Sequence, residues 1–173
     1  MSSESAWMLP QNAFRWIEEN IPHGSTILEF GSGEGSKLLM DNYDLFSVEH
    51  NPEWLRLNDK KCLYAPIKIN DKFPGEIGWY DLELIKKNLP SQIDLMIIDG
   101  PIGTIGRSGI LDYIEFFSWN FTILIDDLQR EQESLFSQKL CRKIQFECIH
   151  FDETEENKGF KRSFGVFQKR RIL

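Results

Sequence analysis

Along the first twenty residues, positions 11–21 place Phe14, Ile17 and Ile21 on one helical face, with Pro10 suited to the first turn. From Thr26 onward the pattern shortens. Apolar runs at 26–30, 45–49, 62–67, 93–99 and 121–125 read as five short strands, several of them covered on both faces. Helical patterns fall between them at 36–41, from Asn51-Pro52-Glu53 onward, and at 79–88, 110–118 and 128–142. The Asn-Pro-Glu start offers a cap, a proline at the first helical position and an acid in the first turn. Past Arg142 the alternation stops. Segments 144–151 and 163–168 are two strands with no helix between them, joined by a polar loop that holds the acidic run 152–156. Five alternations of strand and helix imply a parallel sheet with right-handed crossovers, to which the closing hairpin adds an antiparallel strand at the edge. The predicted architecture is α/β, Rossmann-like and doubly wound. It is expected to form one domain over 1–173, with an N-terminal helical segment at 1–25 and a sheet core at 26–173.

The turn after the first strand reads Glu29-Phe30-Gly31-Ser32-Gly33-Glu34-Gly35-Ser36. Glycines at this spacing let the backbone leave a buried strand sharply and approach a ligand with no Cβ in the way. A following helix points its free N–H groups at whatever lies there. A dinucleotide fingerprint, G-x-G-x-x-G, would need glycine at position 36, where Ser36 stands. Glu49 ends the second strand 18 residues after Gly31, a position from which a carboxylate can accept both hydroxyls of a ribose. The competing reading is an acid capping the next helix.

Glu29-x-Gly31-x-Gly33-x-Gly35 resembles the first motif of class I S-adenosylmethionine-dependent methyltransferases, and the order of elements is similar to theirs over nearly the whole chain. The resemblance implies a mostly parallel seven-stranded sheet with one reversed strand near its end. It also implies S-adenosylmethionine as cofactor. The amino-acid end would lie near Glu29, the adenosyl part would be admitted by Gly31, Ser32, Gly33 and Gly35, and the ribose would sit on Glu49. His50 and Asn51 would flank the adenine. Asp99 follows the fourth strand, at the carboxyl edge where ligands of open sheets bind, and is the expected catalytic and cofactor-side acid. Amino-methyltransferases of this family show Asn or Asp, then Pro-Pro and an aromatic residue near there; Gly100 and Pro101 depart from that pattern. Its metal-dependent O-methyltransferases place an acid after the fourth strand and an Asp-Asn pair after the fifth. Asp99, Asp126 and Asp127 are similar, with Asp127 in place of Asn, and three such carboxylates suit Mg²⁺ or Ca²⁺. Alternatively, one of the pair caps the helix from 128. Trp7, Met8 and Trp79-Tyr80-Asp81 add aromatic surface able to attract a sulfonium or stack a substrate, with Trp7 and Trp79 the substrate candidates. Arg107 is expected to pair a substrate carboxylate or phosphate.

Composition narrows the setting. No run approaches the ~20 apolar residues of a membrane span, and three unpaired cysteines fit a reducing cytoplasm, with Cys148 read as a core residue. A net charge of −7 argues against a partner held through phosphates. The expectation is therefore a cytoplasmic methyltransferase acting on a small molecule, at oxygen, without nucleic acid or membrane and compatible with a homodimer. The alternatives are a cofactor-binding or assembly protein that does not transfer methyl groups and, disfavoured by the glycine spacing, a nicotinamide-dependent enzyme.

Overall fold

The computed structural model describes residues 8–56, 59–156 and 160–170. The apolar runs pair as their burial requires. β1 (Thr26–Phe30) lies parallel between β2 (Asp44–Glu49) and β6 (Leu95–Ile98); β3 (Cys62–Tyr64) extends the sheet beyond β2, and β7 (Thr122–Ile125) beyond β6. β6 and β7 are buried at every position, which demands cover on both faces. One face receives α1 (Gln11–Asn20), whose Ala13 and Ile17 pack with Ile27, Leu95, Ile97 and Leu124. The other receives α4 (Glu131–Ile144), whose Phe136 and Leu140 join Leu28, Phe30, Met96 and Ile98. Ile27 and Leu28 fall on opposite faces, as the pleat dictates.

The full order is β3-β2-β1-β6-β7-β9-β8. β9 (Phe160–Lys169) runs antiparallel to both β7 and β8 (Phe146–Glu156). The reversed strand therefore lies second from the edge rather than on it, because the hairpin folds back and inserts its later strand first. Its acidic run is not a loop, since 152–156 continue β8. Cys148 is exposed rather than in the core, where a register shift interrupts this edge strand between Cys148 and His150.

Three further expectations shift. Beyond Pro66, β4 (Ile67–Ile69) leaves the main sheet and pairs with β5 (Gly78–Tyr80), so the helical pattern at 79–88 shortens to α3 (Leu82–Ile85) and a 3-10 turn. Gly78 allows that pairing, since a Cβ there would stand 2.2 Å from the Lys68 carbonyl oxygen. Asn51 does cap, accepting the Glu53 N–H at 3.0 Å, yet only the 3-10 turn Pro52–Trp54 follows before Leu55 extends. The helix expected at 110–118 is a 3-10 segment, Ser108–Phe116, kinked at Tyr113.

The carboxyl ends of β2, β1, β6 and β7 thus stand side by side. At their centre the chain leaving β1 crosses the chain leaving β6. Gly31 has a left-handed backbone (φ +93), and a Cβ on it would lie 2.8 Å from the Gly100 backbone.

Candidate functional site

A cavity of about 690 Å³ opens over these strand ends, bordered by Gly31, Gly33, Glu49, Trp54, Asp99 and Arg162 among others. That size suits a small-molecule or cofactor site. The glycines of the turn divide their tasks. Gly31 is required by the Gly100 crossing, and a Cβ on Gly35 would meet the Phe14 ring at 2.8 Å. Gly33, extended at φ −162, borders the cavity as Gly31 and Gly35 do.

Glu29 is buried behind that turn and also borders the cavity. Its carboxylate takes the Ser36 hydroxyl at 2.9 and 2.8 Å and the Ser47 hydroxyl, while Ser36 Oγ accepts the Gly33 N–H at 3.0 Å. Arg56 approaches from outside, donating to Ser47 Oγ at 2.8 Å. Burial raises the Glu29 pKa to about 7, against the pull of the two hydroxyls and Arg56. The motif's Ser36, which breaks the dinucleotide pattern, is therefore the link that ties Glu29 to the glycine turn.

Glu49 is also buried, and it is held as an anion. Its Oε2 accepts the Ser32 N–H at 2.9 Å; its Oε1 accepts the His50 and Asn51 N–H groups at 2.7 and 2.6 Å and lies 2.9 Å from His50 Nδ1. Burial opposes ionisation, but the bonds from His50, Asn51 and Ser32 outweigh it and hold the carboxyl below its usual range. The side-chain cap of the following turn is Asn51, so Glu49 is not used there. His50, Asn51 and Trp54 border the same cavity.

Asp99, Asp126 and Asp127 do converge, with one ligand oxygen from each within 4.8 Å of the others. Three guanidinium groups sit among them. Arg107 Nη2 donates to Asp127 Oδ2 at 2.9 Å and lies 3.7 Å from Asp99 Oδ1, Arg130 Nη1 is 2.9 Å from Asp127, and Arg162 Nη2 donates to Asp126 Oδ2 at 2.6 Å. Burial raises the pKa of Asp99, with Arg107 pulling it down, and raises that of Asp126 to about 7. These arginines supply the compensation expected of a metal ion. Neither Asp126 nor Asp127 caps a helix: Asp127 takes a left-handed turn (φ 63) and α4 starts at Glu131.

Arg107 borders the cavity, but its guanidinium is already engaged within the protein. It is 2% exposed, and its donors reach the backbone oxygens of Ile98, Asp99, Pro101 and Asp126 besides Asp127. It fastens the ends of β6 and β7 together. Trp79 is core, tilted against Phe30 at 5.3 Å, and borders a separate, smaller cavity. Its neighbour Tyr80 borders the main cavity instead. Met8 borders it too, whereas Trp7 lies outside the described residues. Trp54, Tyr80, Arg130 and Arg162 belong to the site without a motif to announce them. The Trp79-Tyr80 pair was visible as a cluster, but only strand alternation tells which ring faces which way.

No protein-family model matches the sequence, and no curated protein matches it either. Solved structures do. The Bacillus subtilis M1A22 tRNA methyltransferase TrmK superposes with a TM-score of 0.60 at 14% identity over 90% of this chain. The Mycoplasma capricolum TrmK, solved with S-adenosyl-homocysteine, gives 0.56 at 15% over 95%. An rRNA methylase from Streptococcus thermophilus gives 0.54 at 12% over 92%. The chain has the class I methyltransferase fold. It spans 64% of the Bacillus enzyme's length, 70% of the other TrmK and 95% of the rRNA methylase. These neighbours overturn the expectation of small-molecule O-methylation without nucleic acid. Net charge is a poor guide to the cavity, whose border mixes acids such as Glu49 and Asp99 with Arg107, Arg130 and Arg162. Among the described residues no helix is long and apolar enough to cross a membrane.

Arg107→Met strips the strand ends of their clasp and leaves buried carboxylates uncompensated, a loss of about 3–5 kcal/mol. Thermal unfolding should show a melting temperature lower by roughly 10 °C; an unchanged one would return Arg107 to a substrate role. For Glu29, an acid whose folded pKa lies above its unfolded value binds extra protons when folded, so stability falls as pH rises from about 4.5 to about 7. Melting curves across that window should fall more steeply for the wild type than for Glu29→Gln, and parallel curves would contradict the assigned protonation.

Proposed function

We propose that the chain is an S-adenosylmethionine-dependent methyltransferase acting on RNA at a base ring nitrogen. The observation that carries the donor assignment is Glu49, fixed as an anion by three backbone N–H groups and facing one cavity with Gly33 and Asp99. The residues present fit the donor. Glu49 would accept the ribose hydroxyls, Gly33 would leave the backbone open to close approach, and His50, Asn51 and Trp54 would flank the base. Glu34 in the first turn of α2 (Glu34–Met40) disfavours a pyrophosphate at that helix start. The acceptor assignment draws on the tRNA and rRNA methyltransferases that share the fold, and on the half-exposed Arg130 at the cavity. A base ring nitrogen is what the m1 designation of the TrmK proteins denotes.

Bound S-adenosylmethionine supplies a methyl carbon activated by its sulfonium. The chain's own residues align and shield. Asp99, with its side chain 26% exposed, faces the cavity and would accept an N–H hydrogen bond from the base, balancing the positive charge a ring nitrogen gains on methylation. An unprotonated ring nitrogen such as adenine N1 offers its lone pair without losing a proton, so the metal activation that an alcohol needs has no counterpart in this reading, and three arginines already sit among the acids. It also explains why the Asp-Pro-Pro-aromatic sequence of exocyclic amine methylation is not required at Asp99-Gly100-Pro101.

Incubating the protein with methyl-labelled donor and a mixture of total RNA and metabolites should label RNA. Nucleoside mass spectrometry should find a ring-methylated base, and Glu49→Gln should cut the labelling about tenfold or more. Label confined to the metabolite fraction would overturn the acceptor assignment.

A further inference from the structure

Tyr80 brings to the site a polar atom that the fold does not use. Its ring is fully buried, stacked on Phe30 at 5.9 Å and met edge-on by Trp79 at 5.0 Å and His50 at 5.8 Å. The hydroxyl reaches the crossing of the two glycine loops. A Cβ on Gly100 would stand 2.6 Å from that oxygen and 2.6 Å from the Gly31 Cα. At that point the hydroxyl is shielded from solvent and has no hydrogen-bond partner among the described residues. Burying a hydroxyl without a partner is unfavourable, and phenylalanine would fill the same space without that cost. Tyr80 borders the cavity, and a ligand there would be the partner that the fold does not supply.

The surroundings narrow what that partner is. Burial, and then the nearby carboxylates led by Glu49, hold the phenol well above its usual pKa against the pull of Arg107. It therefore stays neutral, with one proton to donate and lone pairs to accept. Glu49 marks the ribose side of the site and Asp99 the acceptor side, and both act on Tyr80 electrostatically. We propose that the Tyr80 hydroxyl hydrogen-bonds the bound methyl donor near the junction of its ribose and sulfur, making Tyr80 a cofactor-binding residue delivered by the β4–β5 ladder. The proposal rests on the donor assignment above. It also accounts for that ladder: Gly78 packs on the Lys68 carbonyl, and the strand it begins sets Trp79 into the core and Tyr80 against the cavity.

Tyr80→Phe keeps the ring and removes one atom. Calorimetric titration should show S-adenosylmethionine and S-adenosylhomocysteine both binding about tenfold more weakly, while the free variant melts at the wild-type temperature or above it. Wild-type dissociation constants for both ligands would overturn the proposal, as would a lower melting temperature, which would assign the hydroxyl to the fold. Failure of the wild type to bind either ligand would overturn the donor assignment itself, so the two failures are distinguishable.

Discussion

Everything at this site depends on how closely two loops pass. The chain leaving β1 at Gly31 and the chain leaving β6 at Gly100 touch backbone to backbone, with no room for a Cβ on either. That contact brings the carboxyl ends of adjacent parallel strands into one floor, over which the cavity opens. It also explains why the glycine motif cannot be read as a ligand signal alone. Gly31 and Gly35 border the cavity but are also demanded by neighbours within the protein, and Gly33 borders it with an extended backbone.

The second constraint is charge. Four carboxylates, those of Asp99, Asp126, Asp127 and Glu133, gather where β6 and β7 end, and such a group would be strongly self-repelling without compensation. Arg107 supplies part of it from a buried position, satisfied by strand-end carbonyls as well as by Asp127. Arg130 and Arg162 supply the rest from the cavity side. On the other flank, Glu29 and Glu49 receive opposite treatment. Burial, against the pull of two hydroxyls, raises the Glu29 pKa to about 7, whereas hydrogen bonds from His50, Asn51 and Ser32 keep Glu49 ionised. Two acids twenty residues apart thus acquire different chemistry from their surroundings alone.

Much of this was legible in the sequence. The strands around Ile27, Val48, Ile97 and Leu124 announced themselves by apolar runs, and the parallel order followed from their alternation with helices. Glu29 and Glu49 lie at the ends of β1 and β2, Asp99 just past β6 and Gly33 at the start of the helix after β1, where the pattern put them. The failures share one cause: a local pattern does not say which long-range partner a segment meets. Trp79 and Tyr80 carried a helical period until pairing with Ile67 and Lys68 made them a strand. Arg107 looked like a free cation because the carbonyls that claim it are 6–19 positions away. The run 152–156 looked like a loop because an edge strand needs polar residues just as a loop does.

The central claim is that the glycine turn and Glu49 form a site for S-adenosylmethionine rather than for a dinucleotide. Calorimetric titration of the intact protein with S-adenosylhomocysteine and, separately, with NAD⁺ tests it most directly. The account predicts saturable one-to-one binding of S-adenosylhomocysteine and no heat with NAD⁺. Binding of NAD⁺ in its place, or of neither ligand, would contradict it.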